Sequence, residues 1–116
     1  MFTIEIDDLP PSLNKFYSGM HWAKRTEIVH EWHLRFLNAF RRANLPTKLG
    51  TPIVVNVTQF CKGVVRDADN GVVAAKFCGD ALKEYGYIVD DGPEYISSVI
   101  LQCKKGKANK TVVLIS

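Results

Sequence analysis

Two short acidic segments contain the side chains best suited to chemistry. Asp67 and Asp69 are separated by one residue, and Asp90 and Asp91 are adjacent in a segment rich in glycine and proline. Side chains two residues apart at the end of an extended strand point to the same side, so we expect the first pair to converge on one ion. Turns around the second pair would return it to the first, and one of its two acids would lead the coordination.

This concentration of carboxylates indicates a metal site. Neighbouring carboxylates repel each other unless a cation neutralises them, and hard oxygen ligands favour Mg²⁺, or Mn²⁺ in its place, over Zn²⁺. A cation held there would support metal-assisted hydrolysis of a phosphodiester. Aspartates two apart are also common in turns and helix caps, so the spacing alone leaves a structural role open. The predicted metal ligands are Asp67, Asp69, Asp90 and Asp91.

Two other kinds of metal site are disfavoured. A calcium-binding EF-hand loop starting at Asp67 would need glycine at its sixth position and glutamate at its twelfth, where the chain has Val72 and Cys78. His30 and His33 could share one side of a helix, but the sequence offers no third ligand for zinc.

Basic residues are grouped along the chain and suit a polyphosphate partner. The four aspartates contribute −4 to the formal net charge of +3, which leaves +7 on the other residues. A solvated surface would explain the same pattern, so charge alone does not separate the two interpretations. Trp22, Trp32 and Tyr17 could stack on unpaired bases, although core packing explains Trp32 better. The basic groups are Lys24-Arg25, Arg41-Arg42, and Lys104, Lys105, Lys107 and Lys110.

Length and composition predict one small intracellular domain. The 116 residues fit a single domain, and the 47% hydrophobic content is sufficient for a core. Such a short chain buries a limited share of its surface, so dimerisation would add stability. The three cysteines show no disulfide or zinc spacing, and we see neither a signal peptide nor an apolar stretch of about 20 residues. We therefore expect a cytoplasmic protein that does not enter a membrane.

Hydrophobic periodicity predicts the elements that position these residues. Apolar residues alternate from Phe2 to Ile6 and from Ile53 to Cys61, as in strands, and recur at helical spacing from Trp22 onward. A second helix starts just after the first acidic pair and ends at Gly86, which provides a left-handed cap. Two strands follow, at 95–103 and 110–116, joined by 104–109 as a polar hairpin loop. The β-α-β-α-β-β order predicts an α+β fold with two helices packed on a mixed sheet.

The spacing of these motifs resembles a known family. The segment Leu9-Pro10-Pro11-Ser12-Leu13-Asn14-Lys15-Phe16-Tyr17 is similar to the Pro-Pro-Ser-x-Asn segment with which RusA-family Holliday-junction resolvases leave their first strand. The signature of that family also resembles Arg66-Asp67-Ala68-Asp69-Asn70, then Lys76 with Asp80-Ala81-Leu82, then Gly86-Tyr87-Ile88-Val89-Asp90-Asp91. The resemblance extends from about Leu9 to Val99.

The resemblance implies a RusA-like fold and a homodimeric, magnesium-dependent endonuclease, often prophage-encoded, that nicks four-way DNA junctions symmetrically. Asp67, Asp69 and Asp91 match the essential metal-binding aspartates of the family, and Asp90 matches the neighbouring acid. Alternatives are a module that binds branched DNA without cutting, and a nuclease of the same chemistry acting on flaps or forks. We also expect DNA contacts from five basic residues, which are Arg66, Lys104, Lys105, Lys107 and Lys110.

One feature of the second helix departs from the family pattern. Counting back from Asp80 matches Lys76 to a lysine that assists at the phosphate in the family, so Lys76 joins Asp67, Asp69 and Asp91 as a candidate catalytic residue. Counting forward from Asn70 instead places Val73 there, because three residues after Asn70 resemble an insertion. A surface lysine paired with Asp80 at i+4 is the structural alternative.

Overall fold

A four-stranded mixed sheet carries three helices and a short 3-10 helix in a computed structural model that describes residues 1–116. The α+β class and the mixed sheet predicted from the sequence are confirmed, while the expectation of two helices omitted the short helix α1. The elements are β1 (Phe2–Ile6), α1 (Leu13–Ser18), α2 (Trp22–Arg42), β2 (Ile53–Cys61), the 3-10 helix (Ala68–Asn70), α3 (Gly71–Glu84), β3 (Ile96–Lys105) and β4 (Lys110–Ile115).

The strands are ordered β1-β4-β2-β3 across the sheet. β4 is antiparallel to both β1 and β2, whereas β3 runs parallel to β2 and forms an edge. The predicted hairpin between the last two strands is therefore wrong, because β2 lies between them. The connection crosses the end of β2, where the Gly106 N–H donates to the Cys61 carbonyl at 3.0 Å and the Lys62 N–H donates to Asn109 Oδ1 at 2.9 Å. In a hairpin, β3 and β4 would pair with each other directly, whereas here the connecting segment bonds to the end of β2.

The core forms between one face of the sheet and the two long helices. Residues of β2 alternate between buried and half-buried positions, as expected for a strand packed on one side. Phe36 and Phe40 of α2 and Leu82 of α3 are fully buried there. Burying an aromatic or leucine side chain stabilises the fold by about 1.5–3 kcal/mol. The apolar periodicity therefore determines which helix faces meet the sheet.

Local capping groups set the ends of the helices. Ser12 Oγ accepts from the Lys15 N–H at the start of α1, and His21 Nδ1 accepts from the Ala23 N–H at the start of α2. Gly86 has φ +80° and follows Tyr85, the C-cap of α3, which confirms the predicted glycine cap. The predicted start of this helix just after the first acidic pair is also confirmed, since α3 begins at Gly71. None of the helices combines the length and apolar character that crossing a membrane requires.

Candidate functional site: acidic residues around helix α3

The first acidic pair lies in a turn. β2 ends at Cys61, Asp67 follows a loop, and Asp69 belongs to the 3-10 helix. The prediction that both side chains extend from the end of a strand is therefore wrong, because β2 stops before they are reached. Asp67 is the N-cap of that helix and has extended backbone, with φ −63° and ψ 146°, so the two aspartates do not belong to one regular element. Both aspartates are exposed to solvent.

Asn70 holds this acidic turn. The Asp67 carbonyl accepts from the Asn70 backbone N–H at 3.0 Å and from Asn70 Nδ2 at 3.1 Å. Asn70 Oδ1 in turn accepts from the Leu13 N–H at 2.9 Å, which ties the turn to the first residue of α1. Asn70 belongs to the sequence motif but had no predicted role. Its side-chain amide can donate and accept at the same time, which is the property that a residue linking two segments needs.

The second acidic pair contacts lysines of α3. Lys76 Nζ lies 3.7 Å from Asp91 Oδ2, and Lys83 Nζ lies 3.1 Å from Asp90 Oδ1. Asp90 Oδ1 also accepts from the Asp91 backbone N–H at 2.8 Å. The two lysines are two helical turns apart on α3, so the adjacent carboxylates engage different cations.

Neighbouring groups stabilise the charged forms of Lys76 and Asp90. The hydrogen bond and charge of Asp80 raise the pKa of Lys76, with smaller contributions from Asp91 and Tyr17. The Asp91 backbone N–H, followed by Lys83, lowers the pKa of Asp90. Lys76 is therefore an ammonium and Asp90 a carboxylate at neutral pH.

The structure distinguishes the two ways of counting to the helix lysine. Val73 is fully buried in the core and cannot reach a phosphate. The Lys76 side chain is 56% exposed and contacts both Asp80, at 3.2 Å, and Asp91. The structure therefore contains the i+4 ion pair between Lys76 and Asp80, and Lys76 also contacts Asp91, a candidate metal ligand.

The two acidic pairs lie at different levels along α3. Asp67 and Asp69 precede its first residue, whereas Asp91 lies beside Lys76, about 7.5 Å further along the helix axis at 1.5 Å per residue. No three histidine, cysteine, aspartate or glutamate side chains converge closely enough to hold a metal ion. The donor set fits magnesium in its chemistry, because all four candidates, Asp90 included, are accessible carboxylates. In this structure, Asp90 and Asp91 pair with lysines instead.

Aromatic and apolar groups border this surface. A cavity of about 420 Å³ between α3 and β3 is lined by Lys76, Asp91 and apolar residues including Leu101. Tyr17 is half exposed and close enough to Lys76 to affect its pKa. Trp32 is buried, which confirms the core interpretation, whereas Trp22 is exposed.

The five basic residues predicted to contact DNA differ in how free their charges are. Arg66 donates to the Pro10 carbonyl at 2.7 Å, and Lys110 pairs with Glu5 at 3.3 Å. Lys105 Nζ donates to the carbonyls of residues 62 and 63 at 2.6 and 2.8 Å. Lys104 and Lys107 are exposed and form no ion pair or side-chain hydrogen bond within the chain. These two are the lysines of the segment that are free to meet a phosphate.

A scan against protein-family models found no match for the chain, and a search of curated proteins found none either.

Proposed function

We propose that this protein is a magnesium-dependent endonuclease of the RusA type that cuts four-way DNA junctions. The observation that carries the proposal is the position of Lys76. This lysine contacts Asp91 from the same helix that begins at the Asp67–Asn70 turn. One helix therefore connects the three segments whose spacing resembles the family signature.

The proposed chemistry uses the acids as ligands and the lysine as a phosphate contact. Asp67, Asp69 and Asp91, with Asp90 beside them, would hold Mg²⁺ or Mn²⁺. When bound, the metal supplies charge neutralisation at the phosphodiester and lowers the pKa of the attacking water. The Lys76 ammonium is exposed, so it can leave the carboxylates and offset negative charge on the reacting phosphate.

Lysines of α3 neutralise the second acidic pair in this structure. Like charges repel, and a nearby ammonium neutralises a carboxylate when no other cation does so. Lys76 and Lys83 have this role for Asp91 and Asp90. Binding of metal together with a phosphate would release Lys76 from Asp91 toward the phosphate, and the same carboxylate would then serve as a ligand.

A two-fold dimer would match the symmetry of the substrate. A homodimer presents the same surface twice, so it would place two sites on opposite strands of a symmetric junction. Lys104 and Lys107 would contact backbone phosphates, and the exposed rings of Tyr17 and Trp22 are available to stack on unpaired bases.

The variant Asp69→Asn tests the proposal directly. In the wild type, the Asp69 carboxylate makes a single long contact, 3.5 Å from Asn70 Nδ2, so the substitution should leave the fold intact. We expect junction cleavage to be abolished and junction binding on a gel to be retained. Asp7→Asn, at another exposed acid, is the matched control and should cut normally. Joint loss of cutting, binding and thermal stability in Asp69→Asn would contradict the proposal.

A second candidate is a module that binds branched DNA without cutting it. The pairing of Asp90 and Asp91 with lysines favours this function, because those carboxylates then have a structural role. A pure binder would retard junction DNA and never nick it with any divalent metal. Flap and fork substrates in the same assay test a nuclease with another preference.

A further inference from the structure

Polar side chains line the sheet beneath the acidic turn. Gln59 of β2 lies between Cys103 of β3 and Thr111 of β4 in the strand register. Gln59 and Thr111 are 0% and 1% exposed, although most of this face is apolar. Thr111 Oγ1 donates to the Asp8 carbonyl at 2.8 Å, so one member of the group already holds a loop backbone.

Cys103 connects this group to the acidic turn. Its Sγ lies 3.4 Å from the Asp67 carbonyl oxygen and 3.6 Å from Gln59 Oε1. A thiol carries a single proton, and two oxygen atoms lie within its reach. That proton can serve only one of the two oxygens fully.

The Gln59 carboxamide has an unused donor. Gln59 Nε2 is fully buried and has no hydrogen-bond partner, which is unfavourable for an N–H group. A rotation of the carboxamide by about 180° exchanges its oxygen and nitrogen positions, which are nearly equivalent in shape. Nε2 then faces Cys103 Sγ and gains an acceptor, and the thiol proton is left for Asp67. Oε1 takes the unpartnered position, where an unpaired carbonyl oxygen is less unfavourable than an unpaired N–H.

We propose that Gln59 and Cys103 form a hydrogen-bond relay that positions the acidic turn for metal binding. Gln59 Nε2–H donates to Cys103 Sγ, and the thiol donates to the Asp67 carbonyl. Both are positioning residues, and their significance for a metal rests on the proposed function. The Asp67 carbonyl otherwise receives donors from Asn70 alone, within the same turn, so the thiol is its link to the sheet.

The first test measures the turn itself in metal-free protein. Amide hydrogen exchange of Asn70, whose N–H donates to the Asp67 carbonyl, reports how often the turn opens. We expect Cys103→Ala to accelerate this exchange by about three-fold or more, as loss of a weak hydrogen bond implies. Cys103→Ser, which keeps a donor, should restore slow exchange. Cys61→Ala removes another buried thiol and should leave the Asn70 rate unchanged.

Gln59→Met separates positioning from packing. Methionine keeps the shape and removes the buried amide, so thermal stability should be equal or higher than in the wild type. Exchange at Asn70 should nevertheless rise. A fall in stability with unchanged exchange at Asn70 would show that Gln59 contributes only packing.

The second test measures Mn²⁺ binding by electron paramagnetic resonance. We expect Cys103→Ala to raise the Kd for Mn²⁺ by about three-fold or more, and Cys103→Ser to bind as the wild type does. Unchanged exchange at Asn70 in Cys103→Ala overturns the relay. Faster exchange with unchanged Mn²⁺ affinity overturns its effect on the metal site. Absence of Mn²⁺ binding by the wild type would count against the proposed function, while the exchange result would still decide whether the relay exists.

Discussion

Replacement of Lys76 by methionine separates a catalytic lysine from a surface ion pair. The Lys76 ammonium lies between Asp80 at 3.2 Å and Asp91 at 3.7 Å. Methionine keeps most of the length of the side chain and removes its charge. In the proposed mechanism, Lys76 competes with metal for Asp91 and later contacts the phosphate, so its loss should affect metal binding and cleavage in opposite directions.

The expected magnitudes follow from the geometry. Two unit charges separated by 3.7 Å interact by about 1.1 kcal/mol in water, and exposed pairs are measured at about 0.2–1 kcal/mol. With 56% of the Lys76 side chain exposed, we take the lower range. Mn²⁺ affinity should therefore rise by up to about five-fold, and the free energy of unfolding should fall by less than about 1 kcal/mol. Junction cleavage should fall by about 100-fold, as when one preorganised group at a reacting centre is removed.

The assay combines Mn²⁺ titration with single-turnover cleavage of a labelled junction at saturating metal. Lys83→Met is the matched control, because Lys83 belongs to the same helix but pairs with Asp90. It should cut at close to the wild-type rate, and Lys76→Arg should retain part of the activity. Wild-type cleavage by Lys76→Met with only a small loss of stability would contradict a catalytic role, and Lys76 would then be a surface lysine paired with Asp80.

Three further predictions concern the surface and the stability of the fold. Lys104→Gln or Lys107→Gln should each reduce the slope of log binding constant against log salt by about 0.9, and an unchanged slope would remove that lysine from the DNA contact. The pKa of Asp90 is lowered below 3.8 by a backbone N–H and by a lysine, so its stabilisation is present above that value and is lost as pH falls through the folded pKa. Urea unfolding at about pH 6 and about pH 3 should therefore show a smaller acid loss of stability in Asp90→Asn, and an identical loss would contradict this origin. Gly106→Ala places a Cβ 2.8 Å from Phe60 Cβ and should cost about 1–3 kcal/mol in urea unfolding, whereas an unchanged midpoint would show that the loop shifts freely.

Local sequence patterns predicted most elements of the fold. The alternation in β2 and the apolar stripe of α2 depend on neighbours in the chain, so they could be read without a structure. The order of the strands could not be read from such local patterns. A polar segment before Lys110 indicates that the chain turns, but strand pairing depends on long-range contacts, and β2 occupies the position beside β4 that a hairpin would have used. The short helix α1 has too few residues to show a clear period.

The candidate site follows from residue types in the sequence, whereas its contacts required the structure. The position of Lys76 beside Asp91 agrees with the count back from Asp80, because Lys76 and Asp80 belong to the same uninterrupted helix, α3. The roles of Cys103 and Gln59 were hidden, because they depend on the register of two strands far apart in the chain. The difference between the bound Lys105 and the free Lys104 likewise depends on side-chain direction at the end of β3.

The proposed function is that this protein cuts branched DNA with a divalent metal. The most direct measurement incubates purified protein with an end-labelled four-way junction and a matching linear duplex, with magnesium or with chelator. The proposed function predicts paired, symmetric nicks in the junction alone, present with magnesium and absent with chelator. Tight binding of the junction without cutting under any divalent metal would contradict it and would identify a binding module.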